Sequence, residues 1–168
     1  AKCSPSAKRF VASVTLLCVH TDFNGFFRAE YSSVVRALTL ALGSRAHAED
    51  AAQHGFYEAL RRWRRVSRMG NPVGWVYVVA IRFARRSTPE LLAAEPTDEA
   101  VATGHGESGV DDRLAIDAAV RLLTARQRSV FVLRHIGGVD VAEIASSFGI
   151  SASTVRVLDH QARTTLQK

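Results

Sequence analysis

Three observations predict an all-α fold of two small helical domains joined by an acidic linker. From Asp22 onward apolar residues recur at three- and four-residue steps, and the two-residue alternation of a strand is nearly absent. Charge changes sign along the chain: residues 1–89 hold 14 Lys or Arg against 5 Asp or Glu, residues 90–112 hold 7 acids and no base, and residues 113–168 hold 8 Lys or Arg against 4 acids. Two basic blocks around an acidic segment suit two polyanion-facing modules and a connection that does not itself seek nucleic acid. Between Asp140 and Arg163, finally, two helical patterns with a start signal each meet at a glycine, the layout of a helix-turn-helix. A chain of 168 residues suffices for one medium domain or two small helical ones, and the charge pattern favours two. The expected divisions are a tail or helix at 1–21, a first domain at 22–87, a linker at 88–112 and a second domain at 113–168.

The elements follow in order. Phe10 to Val19, preceded by Lys8 and Arg9, has the outline of a short secretory signal, but it contains Ser13 and Thr15, lacks an evident cleavage site and is too short to span a bilayer. It reads as a helix or tail on the first domain of a cytoplasmic protein with no membrane insertion. Cys3 and Cys18 are too few and too far apart for a metal knuckle or a disulfide framework and read as reduced thiols. Phe23, Phe26, Phe27, Tyr31, Val34, Val35, Leu38 and Leu42 form the apolar face of one helix ending at Gly43. A second helix, about Ala46 to Val66, would turn Ala52, Phe56, Ala59, Leu60 and Trp63 inward. Arg68 to Pro72 reads as a loop. A third helix starts near Pro72, whose missing N–H suits a first-turn position, and carries Trp75, Val78, Val79 and Phe83 towards Arg85 and Arg86. Thr88 to Asp112 has too little apolar density to fold alone.

Arg113 to Leu123 and Thr124 to Ile136 are the next two helices, the latter opening on a capping-box pattern of Thr124 and Gln127. Asp140 and Glu143 form a second such pattern, before a helix that runs to Phe148. Gly149 stands where the chain must turn left-handed, Ile150 plugs the turn, and Ser151 caps a helix with Val155 and Ala162 inward and Ser153, Thr154 and Arg156 outward. Ala145 is small because the two helices cross there closely. In a basic chain this combination points to DNA binding. A helical hairpin in an ordinary core is the bland alternative.

Nothing in the chain suggests catalysis. It has no glycine-rich phosphate loop, no HExxH-type metal motif and no nucleophile elbow. The pairs Glu49-Asp50 and Asp111-Asp112 are neighbours in sequence rather than carboxylates brought to one face. No enzyme activity, metal or cofactor is expected.

Two stretches carry a resemblance to one family. Ala48-Glu49-Asp50-Ala51-Ala52-Gln53, with Phe56, Trp63, Pro72 and Trp75-Val76-Tyr77, resembles region 2 of the extracytoplasmic-function (ECF) sigma factors of bacterial RNA polymerase. Leu123 to Arg128, Gly137-Gly138-Val139, Val141 to Ala145 and Gly149-Ile150-Ser151 through Arg156 resemble region 4 of the same family. The resemblance implies a promoter-recognition subunit that binds both large subunits of core polymerase, duplex promoter DNA and melted DNA, in a family where an anti-sigma factor is a common further partner. It places Glu49, Asp50, Gln53 and Tyr57 on the polymerase. It places Arg65, Arg68, Asn71, Trp75, Arg82, Arg85 and Arg86 on the minus-10 element, and Ser153, Thr154, Arg156, His160 and Arg163 on the minus-35 element. Trp63 and Trp75, at helical spacing, read as core before they read as base-stacking platforms.

The departures from the family pattern are Arg82, where the family usually has Asn, and Val157-Leu158-Asp159-His160-Gln161, where it usually has Ser-Arg-Leu-His-Arg. Two lost arginines weaken counterion release, and an acid near phosphates opposes binding. Asp159 either faces DNA or turns inward with Arg163 as partner. Two alternatives therefore stand beside the sigma reading: a sigma-like interaction protein that reads upstream DNA weakly, and a DNA-binding regulator of the LuxR type.

Overall fold

The computed structural model describes residues 23–89, 119–120 and 122–167, and every regular element among them is helical. The expected tail at 1–21, nearly all of the linker and most of the expected helix from Arg113 lie outside the described residues.

The first unit is built on α1, Phe23–Leu42, and α2, Arg45–Arg61. Gly43, at φ 70°, turns the chain out of α1, and Ser44 caps α2 by accepting the His47 N–H at 3.5 Å. The aromatic face of α1 closes on that of α2: Phe27 meets Phe56 edge-on at 5.1 Å, and Phe26 lies 5.0 Å from Trp63. Helix α2 does not run on to Val66. It ends at Arg62, whose φ of −118° and ψ of 22° break the ladder, and a one-turn helix α3, Trp63–Val66, follows. The break swings Trp63 into the Phe23 and Phe26 rings while Val66 is fully buried. A second correction concerns Leu60, which is 52% exposed rather than inward. The packed side of α2 is filled by Ala48, Ala51, Ala52, Gly55, Phe56 and Ala59, and Leu60, seven residues after Gln53, falls on the opposite side.

Helix α4, Pro72–Ser87, starts as expected: Asn71 Oδ1 accepts the Gly74 N–H at 2.8 Å and Pro72 occupies the first turn. It crosses α2 closely at Gly55, where an added Cβ would lie 3.0 Å from the Val76 carbonyl oxygen.

The second unit begins for the described residues at Ala119 and Val120, which are helical. The Thr124 and Gln127 capping box forms in both directions and opens α5, Ala125–Phe131. The helix expected to reach Ile136 changes character at Val132 and continues to Ile136 as a π turn, closed by Gly137 N–H donating to Val132 O at 2.9 Å. Helix α6, Val141–Phe148, is capped by the Asp140 carboxylate on the Glu143 N–H at 3.0 Å. Gly149 adopts φ 64° and ψ 36°, the left-handed turn that favours a residue without Cβ. Ile150 packs against the core, and Ser151 caps α7, Ala152–Leu166.

Apolar packing is continuous from the first unit into the second. Tyr77 lies where they meet, and burial, with a smaller push from Glu30 and opposition from Arg36, raises its hydroxyl from 10.0 to about 12. Above pH 10 the unfolded chain gives up this proton first, so the folded state binds more protons and stability falls as pH rises towards about 12. Tyr77→Phe is expected to lessen that loss, read as a smaller drop in thermal midpoint across the window. An unchanged drop would assign alkaline unfolding elsewhere.

Candidate docking and nucleic-acid surfaces

The outer face of α2 presents Asp50, Gln53, Tyr57 and Leu60 at three- and four-residue steps, all exposed. Tyr57 is 57% exposed and carries the Arg61 guanidinium 5.8 Å from its ring centre. Leu60 belongs to this face but not to the set picked from sequence, which assigned it to the core. Its spacing from Gln53 and Tyr57 was the available signal. Glu49 is half-buried and held by Arg45 at 2.8 Å, so it stands less free than its neighbours. Glu58 behind the face binds Arg61 at 3.1 Å and also Arg62.

The basic residues expected on one nucleic-acid surface divide along α4. Trp75, Val79, Arg82 and Arg86 form a stripe that stays partly or fully exposed, with Arg65 and Arg68 exposed on the segment before the helix. None of these four arginines has an ion pair among the described residues. Asn71 and Arg85 lie on a different stripe. Asn71 Nδ2 donates to Gly137 O at 2.8 Å and Gly138 O at 3.1 Å, while Arg85 donates to Ser147 O and stands 5.2 Å over the Phe148 ring. A cleft of about 280 Å³ opens between Met69, Gly70, Asn71, Gly74 and Trp75 on one side and Gly138, Asp140 and Glu143 on the other. Trp63 is part of the aromatic core; Trp75 is half-buried at the cleft.

On α7, Val155 and Ala162 are fully buried and fix the rotation of the helix. Ser153, Thr154, Arg156, His160 and Arg163 are all exposed. Asp159 turns to the protein body, with 15% of its side chain exposed. Its Oδ2 stands 3.5 Å from Arg163 Nε, the expected partner, and its Oδ1 accepts from His135 Nε2 at 2.7 Å. That nitrogen carries the hydrogen, because a carboxylate only accepts. His135 sits 24 residues away in sequence and had no local signal. Leu158 packs against the core and Gln161 accepts from Gln127 at 3.2 Å. The helix repeat sets Val157, 53% exposed, opposite the buried seam with Ser153, His160 and Thr164 around it.

Among the described residues no group of three His, Cys, Asp or Glu could hold a metal ion, and no helix is long and apolar enough to cross a membrane.

Two family models match the chain. Residues 26–88 match the family model "Sigma-70 region 2", and residues 113–166 match "Sigma-70, region 4". The chain is 32% identical over 163 residues to the "Probable ECF RNA polymerase sigma factor SigI" of Mycobacterium tuberculosis, aligning 86% of itself with 54% of that protein. It is 29% identical to the "ECF RNA polymerase sigma factor BldN" of Streptomyces coelicolor, over 88% of itself and 60% of that protein. The "RNA polymerase sigma-E factor" of Streptomyces coelicolor is 25% identical, over 88% of this chain and 85% of that one. The chain thus spans about half the length of the SigI relative it matches.

Proposed function

The chain belongs to the extracytoplasmic-function branch of the sigma-70 family, and from that premise we propose that it binds core RNA polymerase and directs promoter recognition and opening, with no chemistry of its own. The observation that carries this reading is the separation of surfaces on one helical frame. A mixed polar and apolar docking face lies on α2, an arginine stripe with no ion pair among the described residues lies on α4, and a capped recognition helix, α7, presents its hydroxyls and Arg156 outward. In this reading Asp50, Gln53, Tyr57 and Leu60 meet the polymerase, with Glu49 at the margin. Arg65, Arg68, Trp75, Arg82 and Arg86 take the melted minus-10 strand, combining cations for the backbone with an aromatic for stacking. Asn71 and Arg85 join them where they are released from the second unit. Ser153, Thr154, Arg156, His160 and Arg163 meet the minus-35 duplex, the first two at a helix N-terminus suited to phosphate.

The test is permanganate reactivity of thymines on promoter fragments with core polymerase and this chain. Reactivity at the minus-10 element only when both are present supports the reading, and none on any fragment across a promoter library counts against it.

A weaker reading, a polymerase-docking protein that scarcely reads upstream DNA, is favoured by one observation: Leu158, Asp159 and Gln161 are all engaged with the protein body. Val157 separates the two. An exposed valine at the centre of a recognition helix suits a thymine methyl in the major groove. Replacing the contacted thymine by deoxyuridine should weaken duplex binding of the parent severalfold and of Val157→Ala far less. Equal sensitivity in both proteins would take Val157 off the groove.

A further inference from the structure

Helix α7 has two unlike margins. Val155 and Ala162 form its fully buried seam and Val157 stands opposite, so the helix repeat puts Thr154 and Gln161 at one margin of the exposed face and Arg156 and Arg163 at the other. His160 lies on the arginine side. Beneath the neutral margin Leu158 packs against the core, and Gln161 accepts a hydrogen bond from Gln127 at 3.2 Å. Beneath the basic margin the matching position is Asp159, with 15% of its side chain exposed and both oxygens engaged: Oδ1 accepts from His135 Nε2 at 2.7 Å, and Oδ2 stands 3.5 Å from Arg163 Nε. The Phe131 ring, 4.7 Å from the imidazole, backs it. An acid therefore joins the recognition helix to the π turn on the margin where both arginines of α7 stand.

We propose that Asp159 is a positioning residue for DNA: braced by His135, it holds Arg163 in line with Arg156, so that α7 anchors on the phosphates of one strand of the upstream duplex and meets the other strand through neutral groups. The proposal rests on the reading of α7 as the helix that enters the major groove.

A helix in the major groove has a sugar-phosphate backbone on either side, and each of its margins meets a different strand. Counterions are released only where a cation reaches a phosphate. The cations of one margin of α7 are Arg156 and Arg163, seven residues and so about two turns apart, one above the other. Thr154 and Gln161 on the other margin can donate hydrogen bonds to phosphate but displace no counterion. Arg163 is 52% exposed, and a free arginine gives up rotamer freedom when it takes a phosphate. Asp159 removes part of that freedom beforehand. Its contact is with Nε, which leaves the terminal nitrogens of the guanidinium to donate. The carboxylate itself is turned to the protein body and is met by His135 and Arg163, so it opposes phosphates less than an exposed acid would. Charge counting alone gives the opposite sign, since deleting an acid from a DNA-binding helix should strengthen binding.

The experiment uses the full chain with core polymerase on a promoter fragment that the two together open. The phosphates along the minus-35 element are replaced by neutral methylphosphonates in one strand or in the other. Replacement in one strand is expected to lower affinity about tenfold or more, and in the other about twofold or less, because only one backbone meets the arginines. Equal losses from the two strands overturn the proposal. Asp159→Leu should bind the unmodified fragment about threefold more weakly and bring the two methylphosphonate losses together, and Arg163→Gln should then cost little more. A general loss of stability lowers affinity for both fragments alike and leaves their ratio unchanged, so the ratio reports positioning. Tighter binding by Asp159→Leu, or a strand ratio like that of the parent, overturns the role of Asp159. His135→Gln, which keeps an N–H donor, should retain more of the strand ratio than His135→Ala, and equal ratios in those two variants overturn the brace. If the chain and core polymerase open no fragment in the library, the sigma reading fails and this proposal with it, whereas equal strand losses on an opened promoter overturn this proposal alone.

Discussion

Tyr57→Ala combined with Leu60→Ala is expected to weaken binding to core RNA polymerase by about 30-fold or more, while helicity and thermal midpoint stay near those of the parent. Both side chains are more than half exposed, at 57% and 52%, so little packing is lost with them. Two large apolar groups one turn apart on a face otherwise made of Asp50 and Gln53 have the composition of a docking centre with a polar rim. Truncating anchors of this kind commonly costs about 2 kcal/mol or more of association energy. Asp50→Ala with Gln53→Ala should cost less, a few-fold, because exposed polar groups are screened and their pairs contribute about 1 kcal/mol or less. Titration of labelled chain against core polymerase reads both. Parent-like affinity in the Tyr57 and Leu60 variant would remove α2 from the contact.

Phe56→Ala is expected to have the largest effect on stability, about 3–5 kcal/mol, the usual range for removing a buried aromatic. Phe56 is 2% exposed and touches Phe26, Phe27 and Tyr31 at ring-centre distances of 5.6, 5.1 and 5.7 Å, so the aromatic face of α1 loses its central partner. Leu60→Ala alone, four residues further along the same helix, should change stability little. Urea midpoints of the two variants measure the contrast. A similar loss for both would mean that Leu60 is packed in solution.

That contrast marks how far the sequence could be read. Features governed by a few adjacent residues were legible: the helix end at Gly43, the left-handed turn at Gly149, the Thr124 and Gln127 capping box, and the caps at Asp140 and Ser151 each depend on local hydrogen bonding and backbone sterics. The apolar faces of α1 and α7 were legible because a 3.6-residue period leaves one stripe. Leu60 was misplaced because α2 has apolar residues on two sides, and periodicity alone does not say which side meets a partner helix. The break at Arg62 and the π turn at Val132 arise from tertiary packing that no local pattern records. The candidate surfaces follow the same division. Exposed positions on α2 and α7 came from helix phase, whereas Asn71 with Gly137, Arg85 with Ser147 and Ser129 with Ala41 join residues 66, 62 and 88 positions apart. The bond from Asp159 to His135 is of that kind as well, and it turns a residue that sequence left between two orientations towards the protein body.

The central claim, that this chain confers promoter-specific initiation on core RNA polymerase, is tested most directly by run-off transcription with purified core enzyme and a library of promoter fragments, with and without the chain. Transcripts of defined 5′ ends that appear only when the chain is added, and that fade with the Tyr57 and Leu60 double substitution, are the predicted result. A chain that binds core polymerase tightly yet yields no start-site-specific transcript on any fragment would contradict the account.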